Sequence, residues 1–373
     1  MKLVIDHIVL SRAMQRMHGT VLESALANIG LKADAQVGLK ILAADSVLAV
    51  FSQVECQVIS EGTAFITGRL FLDLVRELPD GMVMVEVKDS QLFVAAGQNH
   101  EFQMRIPLIE DMAWKEPKVF QSSNVAEIPC DRLNYCIEQV QFCVAHESTR
   151  NYGSVAFLHK PDPQKLRLVG TDGFRLSYCD LQIPTPDQFL KNGICLSKRS
   201  LNEIQRMCNE GYENLRITVS EDQTSVVASV PGYDLFIRLA SVKYPNYVGV
   251  LPTANLNPVK LSRTHVQDVT KRVMLAADKT RSLKLYFEDS LLTVSSRNAA
   301  SSEGKESLKL TDYKGTPRKL SVNGKFLIDV FSAVPSDDIT LQFRNEDDPI
   351  VIIPQLEPSN CKSMHVLVPM KEQ

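Results

Sequence analysis

The chain repeats itself. VIDHIVLSRAMQRM at 4–17 sets a short strand-like run ahead of apolar residues at helical spacing. The same order returns in EIPCDRLNYCIEQVQFCVAHE at 127–147 and VKLSRTHVQDVTKRVMLAADK at 259–279. In each, an Asp, Ser or Thr stands near the helix start, where its side-chain oxygen can accept a free backbone N–H. A second set comprises RLFLDLVRELPDGMVMVEVKDSQLFVAAGQNHEFQMRIP (69–107), SKRSLNEIQRMCNEGYENLRITVSEDQTSVVASVPGYDLFIRLA (197–240) and NGKFLIDVFSAVPSDDITLQFRNEDDPIVIIP (323–354). Each reads as a short helix, a polar turn, an alternating strand, a second turn and another strand. Matched segments recur about every 120–130 residues, which predicts three domains, each built twice from a helix and several strands.

Hairpin-like stretches lie between the paired helices: LKILAADSVLAVFSQVECQVISEGTAFITG (39–68), KLRLVGTDGFRLSYCDLQI (165–183) and LKLYFEDSLLTVSSRNAASSEGKESLKL (283–310). Strands of period two need a buried face, so the expected class is α+β, with helices packed on one side of antiparallel sheet in every unit. Proline-containing connectors at 117–129 and 245–258 interrupt ladders and helices alike. They set the expected domains at 1–122, 123–253 and 254–373.

Lys plus Arg number 41 against 44 Asp plus Glu, a formal net charge of -3. Bulk positive charge therefore cannot hold nucleic acid, although a local positive surface can. MKLVIDHIVLSRAMQRMHG at the N-terminus has no apolar core ahead of a small-residue cleavage site and reads as mature protein. No run of about 18 apolar residues is present to span a membrane. Cys56, Cys130, Cys136, Cys143, Cys179, Cys195, Cys208 and Cys361 never fall at Cys-x-x-Cys spacing. They are expected to be small buried thiols of a cytoplasmic protein, with neither a zinc knuckle nor a redox pair.

The most suggestive stretch for catalysis is TDGFRLSYC at 171–179, where Asp172 and Arg175 flank Gly173 and Phe174. Asp-Gly at the reversal of an alternating hairpin suits a turn. Asp172 also matches Asp45 in AADSVLAV and Asp289 in YFEDSLLTV, which favours a turn former over a general acid. Arg175 has no equivalent in those turns. The seven histidines are dispersed, with no His-x-x-x-His pair, nucleophile elbow, P-loop or G-x-G-x-x-G. A non-catalytic protein without cofactor or metal is expected.

The helices carry scattered cations: Arg12 and Arg16 on the first, Lys198, Arg199 and Arg206 on the fourth, Lys271 and Arg272 on the fifth, and Lys325 on the sixth. If all six helices line one side, these form a diffuse positive lining suited to sequence-independent phosphate contact. Glu138, Glu203 and Glu210 dilute that charge, so weak contact compatible with sliding is the expectation.

TDGFRLSYC at 171–179, KYPNYVGVLP at 243–252, FLIDVFSAV at 326–334 and HVLVPMK at 365–371 resemble the bacterial DNA polymerase III beta subunit family, the sliding clamps, over essentially the whole chain. The resemblance implies three clamp domains per chain and a head-to-tail homodimer forming a six-domain ring around duplex DNA. It also implies a role in tethering the replicative polymerase, with a clamp loader opening the ring, and association with the nucleoid during replication. A repeat-built protein-binding scaffold without a DNA role is the alternative. By the same resemblance Met274 and Leu275 lie at the subunit junction, opposite a first-domain surface near 69–77.

The family's partner cleft implies a groove for linear peptides of polymerases, the loader and repair proteins. Its matching positions begin with Tyr152, Thr171, Gly173, Phe174, Arg175 and Leu176. They continue with Pro245 and Val250, and end with Val366, Leu367, Val368, Pro369 and Met370. Apolar walls would take aliphatic or aromatic anchors, with Thr171 and Arg175 as recognition groups and Pro369 presetting the extended tail. Phe174, Gly249 and Thr280 stand where some family members have histidine, arginine and an aromatic. The terminal Glu372 and Gln373 replace a basic-aliphatic pair, so the polar rim should differ.

Overall fold

The computed structural model describes residues 1–22, 27–146, 150–252, 257–298, 300, 302–310, 313 and 316–371. The first third runs β1 (Lys2–Asp6), α1 (His7–Arg16), α2 (His18–Val21), β2 (Asn28–Asp34), β3 (Gly38–Ala44), β4 (Leu48–Val54), β5 (Gln57–Ser60), β6 (Gly62–Thr67), α3 (Gly68–Glu77), β7 (Met82–Lys88), β8 (Gln91–Ala96) and β9 (Phe102–Pro107). The middle third runs β10 (Val125–Pro129), α4 (Cys130–Val140), β11 (Val155–Asp162), β12 (Lys165–Thr171), β13 (Arg175–Gln182), β14 (Ile194–Ser197), α5 (Lys198–Cys208), β15 (Asn214–Val219), β16 (Ser225–Val230) and β17 (Tyr233–Arg238). The last runs β18 (Asn257–Ser262), α6 (Arg263–Val273), β19 (Ser282–Glu288), β20 (Leu291–Arg297), β21 (Glu303–Lys309), β22 (Arg318–Asn323), α7 (Gly324–Ala333), β23 (Asp338–Phe343), β24 (Ile350–Pro354) and β25 (Cys361–Leu367).

Each helix of ten or eleven residues follows directly on a strand. The last strand residue can serve as cap because it is already extended, as an N-cap must be. Asp6 accepts from the N–H groups of Ile8 and Val9, Ser262 from His265, and Asn323 from Lys325 and Phe326. The helical stripes and the hairpins expected from the repeat are therefore present, in an α+β fold of antiparallel sheets.

The sheets show the repeat as six four-strand sets. Three of them, β6-β2-β3-β4, β14-β11-β12-β13 and β22-β19-β20-β21, have one order; the other three, β1-β7-β8-β9, β10-β15-β16-β17 and β18-β23-β24-β25, have another. Pairing of β17 with β4 and of β13 with β25 fuses four of these sets into two eight-stranded sheets. Two compact units result, one of 1–130 with 199–239 and the other of 131–198 with 240–373, so the middle third is shared between them.

In the first unit, Leu10, Met14 and Met17 on and after α1 are buried, as are Phe71, Leu72 and Val75 of α3. In the second, Val266, Val269 and Val273 of α6 join Leu327, Val330 and Phe331 of α7 in one core with Leu283, Phe287, Ile339 and Phe343 of the sheets. The connector at 245–258 is more than a linker: Tyr247 within it is buried against Val169, Leu176 and Val366.

The hairpin correspondence needs one correction. Asp172, between β12 and β13, accepts from the N–H groups two and three residues on, Phe174 and Arg175. Asp45, between β3 and β4, does the same with Val47 and Leu48. Asp289 lies one hairpin earlier in its repeat, between β19 and β20, where it and Ser290 both take positive φ. Its turn is the tight two-residue type also formed by Asp89 and Ser90. The third-repeat counterpart of Asp172 falls between β20 and β21, where the Asn298 side chain accepts from the Ser302 N–H.

Arg16, expected on a DNA-facing surface, is buried in the first unit. Its Nε and Nη2 hold Glu210 at 3.0 and 2.7 Å, Nη1 donates to Ser52 Oγ at 2.8 Å, and the guanidinium lies over the Tyr233 ring. Losing one partner of so enclosed a pair strands the other charge. Arg16→Met should cost about 3–5 kcal/mol of stability in urea unfolding, and adding Glu210→Gln should restore part of it.

Candidate partner groove and cationic helix faces

The groove residues come together in the second unit through the β13–β25 ladder. Leu176 pairs with Val366 and Arg175 with Leu367, and Val368 N–H extends the ladder by donating to Phe174 O at 2.9 Å. Successive strand residues face opposite sides, so this pairing sorts the predicted site in two. Leu176 and Val366 share a small buried cluster with Val169 and Tyr247, flanked by Tyr178, Tyr244, Leu251 and Met364. Next to its members along the chain are exposed apolar side chains: Phe174 is 56% exposed, Val248 56%, Val250 59% and Val368 47%. Tyr152, Pro245, Pro369 and Met370 are half-buried, and Met370 N–H is tied to Ser321 O.

Arg175 and Leu367 occupy the other side. Leu367 belongs to the core of the last repeat. Arg175, expected to orient a peptide, is wholly engaged within the protein. Its Nε holds Asp172 at 2.9 Å, Nη1 holds Asp329 at 2.7 Å, Nη2 donates to Phe142 O at 2.7 Å, and its plane lies over Phe326. Strand alternation places these two residues away from the groove that Leu176 and Val366 line. The family resemblance had grouped all four.

Thr171 is also committed internally, donating to Arg175 O at 2.7 Å and accepting from Gly173 N–H at 3.1 Å. Gly173 has φ +88, and a Cβ there would run into the Arg150 guanidinium. Arg150 in turn caps the Phe174 ring at 5.4 Å and donates to Tyr152 Oη at 3.3 Å. This arginine, not singled out in the sequence, is an exposed cation beside two of the expected groove residues, Phe174 and Tyr152; its signal was the Arg-Asn-Tyr run ending at Tyr152. Gly249 is exposed with open space around it, and Thr280 is exposed and bonded to Asp278. Glu372 and Gln373 lie outside the described residues.

The helical cations also divide. Arg12, Arg206, Lys271, Arg272 and Lys325 are exposed. Arg206 bonds Glu203 at 3.0 Å, Arg272 pairs with Glu306 at 2.7 Å, and Lys325 stands 3.8 Å from Asp329. Like Arg16, Arg199 turns inward, donating to Gly19 O and Asp45. Lys198 is half-buried, and burial followed by the nearby Arg175 cation lowers its pKa. Of the two residues expected at a subunit junction, Leu275 is 88% exposed, whereas Met274 packs on the core of its own repeat.

Cys143, Ser177 and His365 are hydrogen-bonded in series, with Sγ to Oγ at 3.3 Å and Oγ to Nδ1 at 3.0 Å. All three are fully enclosed. Burial pushes the Cys143 thiol up to about 12 and His365 down to about 3, so near neutral pH the thiol stays protonated and the imidazole neutral. Among the described residues no group of three His, Cys, Asp or Glu could hold a metal ion. No described helix is long and apolar enough to cross a membrane.

Three consecutive family models match: the DNA polymerase III beta subunit N-terminal domain at 1–112, its central domain at 127–246 and its C-terminal domain at 249–371. The chain belongs to this sliding clamp family. The beta sliding clamp of Caulobacter vibrioides is 23% identical over the full length of both chains. That of Escherichia coli K12 is 24% identical over 83% of this chain and 82% of its own. Solved DNA polymerase III beta subunits of Pseudomonas aeruginosa and Thermotoga maritima align over both whole chains with TM-scores of 0.88 and 0.89, each at 21% identity, a likeness of fold. Clamps of Pseudomonas aeruginosa and Bartonella birtlesii have been solved bound to griselimycin.

The enclosed His365 yields a pH test. Its folded pKa lies below the ordinary value of about 6.5, so the unfolded chain takes up a proton that the folded chain refuses. The stabilisation is complete above pH about 6.5 and declines as pH falls toward about 3. Between pH 7 and 5 the parent should lose about 2 kcal/mol more unfolding free energy than His365→Gln. Equal slopes in urea titrations would refute this origin.

Proposed function

We propose that this chain is a DNA sliding clamp: two copies close head to tail around duplex DNA and tether the replicative polymerase and other clients. The reading carries no catalytic step. The observation that supports it best is the unbroken run of the three clamp domains along the chain. We take 1–122, 123–253 and 254–373 as those domains. Tethering by enclosure suits a net charge of -3, because retention then needs no tight phosphate binding. Arg12, Arg206, Lys271, Arg272 and Lys325 are the cations we assign to DNA, with Lys198 at the margin. A clamp loader would open the ring, and the protein would act in the cytoplasm on the nucleoid.

The strand order supports closure by the same rule that fuses the sheets. β17 meets β4 and β25 meets β13, each joining the last strands of two sets. The equivalent strands β9 and β21 are left as sheet edges. Exposed edges invite pairing, so β21 of one copy would meet β9 of the next, with Leu275 covering part of the 68–77 helix that carries exposed Leu70. Leu275→Asp should convert the dimer into a monomer in sedimentation, with an unchanged circular-dichroism spectrum. Loaded onto nicked circular DNA, the parent should stay bound through a high-salt wash and leave once the circle is cut. Release by salt alone would contradict enclosure and favour a scaffold without a DNA role.

The groove of Leu176, Val366, Val250, Val248 and Val368 is the surface we assign to client peptides, with Phe174 and Arg150 at its rim and Arg175 as an internal brace. Val250→Asp places a charge on an exposed wall without disturbing the core. It should weaken griselimycin binding at least about tenfold by calorimetry while leaving the dimer intact.

A further inference from the structure

The segment Lys243–Pro252 packs Tyr244, Tyr247 and Leu251 with Leu176 and Val366, yet it has no regular structure beyond a single turn at Tyr247–Val250. Two tyrosines pin it to the sheet. Tyr244 stacks on Phe157 with centroids 5.1 Å apart and donates its hydroxyl to Val169 O at 3.1 Å. Phe157 stacks in turn on His159 at 4.7 Å. Tyr247 buries its ring beside Leu176 and Val366, and its hydroxyl meets two partners, His159 Nε2 at 2.8 Å and Arg167 Nη1 at 3.4 Å. Arg167 is itself fixed, with Nη2 on Asp180 Oδ2 at 2.8 Å and its plane 3.9 Å above the Tyr178 ring.

The cross-strand register explains this convergence. His159 pairs with Arg167 and Arg167 with Asp180, so three neighbouring strands present their polar groups at one level of the same face. An arginine can only donate, so the phenol oxygen accepts from Arg167 and can direct its own proton to His159 Nε2. Burial and then the Arg167 cation hold His159 down to about 4, which keeps the imidazole neutral and able to accept. The Tyr247 phenol is shifted up by burial and remains protonated.

We propose that Tyr247, held by Arg167 and His159, is a positioning residue for the partner groove: its hydroxyl fixes the height of the 244–250 turn above the sheet and so sets where Val248 and Val250 meet a bound aliphatic side chain. The proposal rests on the groove being the client site. It adds that the groove wall is preassembled and that recognition depends on a hydroxyl that never touches the peptide.

Tyr247→Phe keeps the ring and removes only the hydroxyl. The probe is fluorescein-labelled griselimycin, read by fluorescence anisotropy on the intact dimer, with Val248→Ala introduced into the parent and into Tyr247→Phe. Tyr247→Phe should bind griselimycin about tenfold more weakly, and the loss caused by Val248→Ala should be severalfold smaller in Tyr247→Phe than in the parent, because the wall that carries Val248 is no longer fixed. Tyr313→Phe is the matched control: it also removes a buried hydroxyl, one that donates to Thr316 O in the last repeat, and should leave both measurements unchanged. Equal weakening by Tyr313→Phe would mean general destabilisation and overturn the proposal. Binding to Tyr247→Phe within twofold of the parent, with Val250→Asp still abolishing it, would overturn the positioning role and leave the groove standing. Parent-like binding by both Tyr247→Phe and Val250→Asp would remove the groove reading as well.

Discussion

The ladder between β13 and β25 carries the surface proposed for client peptides. It joins strands nearly two hundred residues apart and continues one sheet from the middle repeat into the last. It also places Leu176 beside Val366 on one face and Arg175 beside Leu367 on the other. The first face packs with Val169 and Tyr247 in a small apolar cluster, and the second faces Asp329 and Phe326 of α7. A shift of one residue would exchange the two sets, putting a charged guanidinium into the groove and a core leucine into solvent. The Arg175 bonds to Asp172, Asp329 and Phe142 O lock the register from the helix side, and the Tyr247 cluster packs on it from the groove side.

Charge is handled by the same division between inside and outside. Arg16 and Arg199 look in sequence like members of a positive lining, but both are neutralised within the first unit, by Glu210 and Asp45. The cations left exposed are fewer, and carboxylates accompany several of them. A surface of that kind attracts phosphate weakly and without regard to sequence, which suits movement along a polyanion better than fixed binding. The glutamates that dilute the sequence signal are therefore structural partners in part, Glu210 of Arg16 and Glu203 of Arg206.

Much of the fold was legible. The helices begin within a residue or two of the expected positions, because strand, cap and apolar stripe are all local signals. The Asp172 turn was legible too, since an Asx turn involves only neighbours, and Asp45 repeats it. The misplacement of Asp289 shows the limit. An acidic residue in a polar reversal marks a turn, but which of two successive hairpins it closes depends on which strands pair. The stretches that the resemblance points to meet in the β13–β25 ladder, but the direction their side chains take is set by strand register and not by local sequence. Arg175 and Leu367 adjoin groove residues in sequence and face away from them in space, while Tyr247 and Arg150 entered from the 243–252 segment and the loop before Tyr152.

The sequence by itself determined the threefold repeat, the antiparallel α+β character, the places where helices start and the family to which the chain belongs. Each of these is written in local periodicity or in ordered motifs. Tertiary structure alone decided which sheets fuse, that the middle repeat divides between two compact units, and which of two adjacent residues packs with Tyr247 and which with the helices. It also decided which arginines remain available to solvent. Those outcomes depend on strand register and on ion pairs between residues far apart in the chain, such as Arg16 with Glu210 and Arg175 with Asp329. No local pattern encodes such a partner.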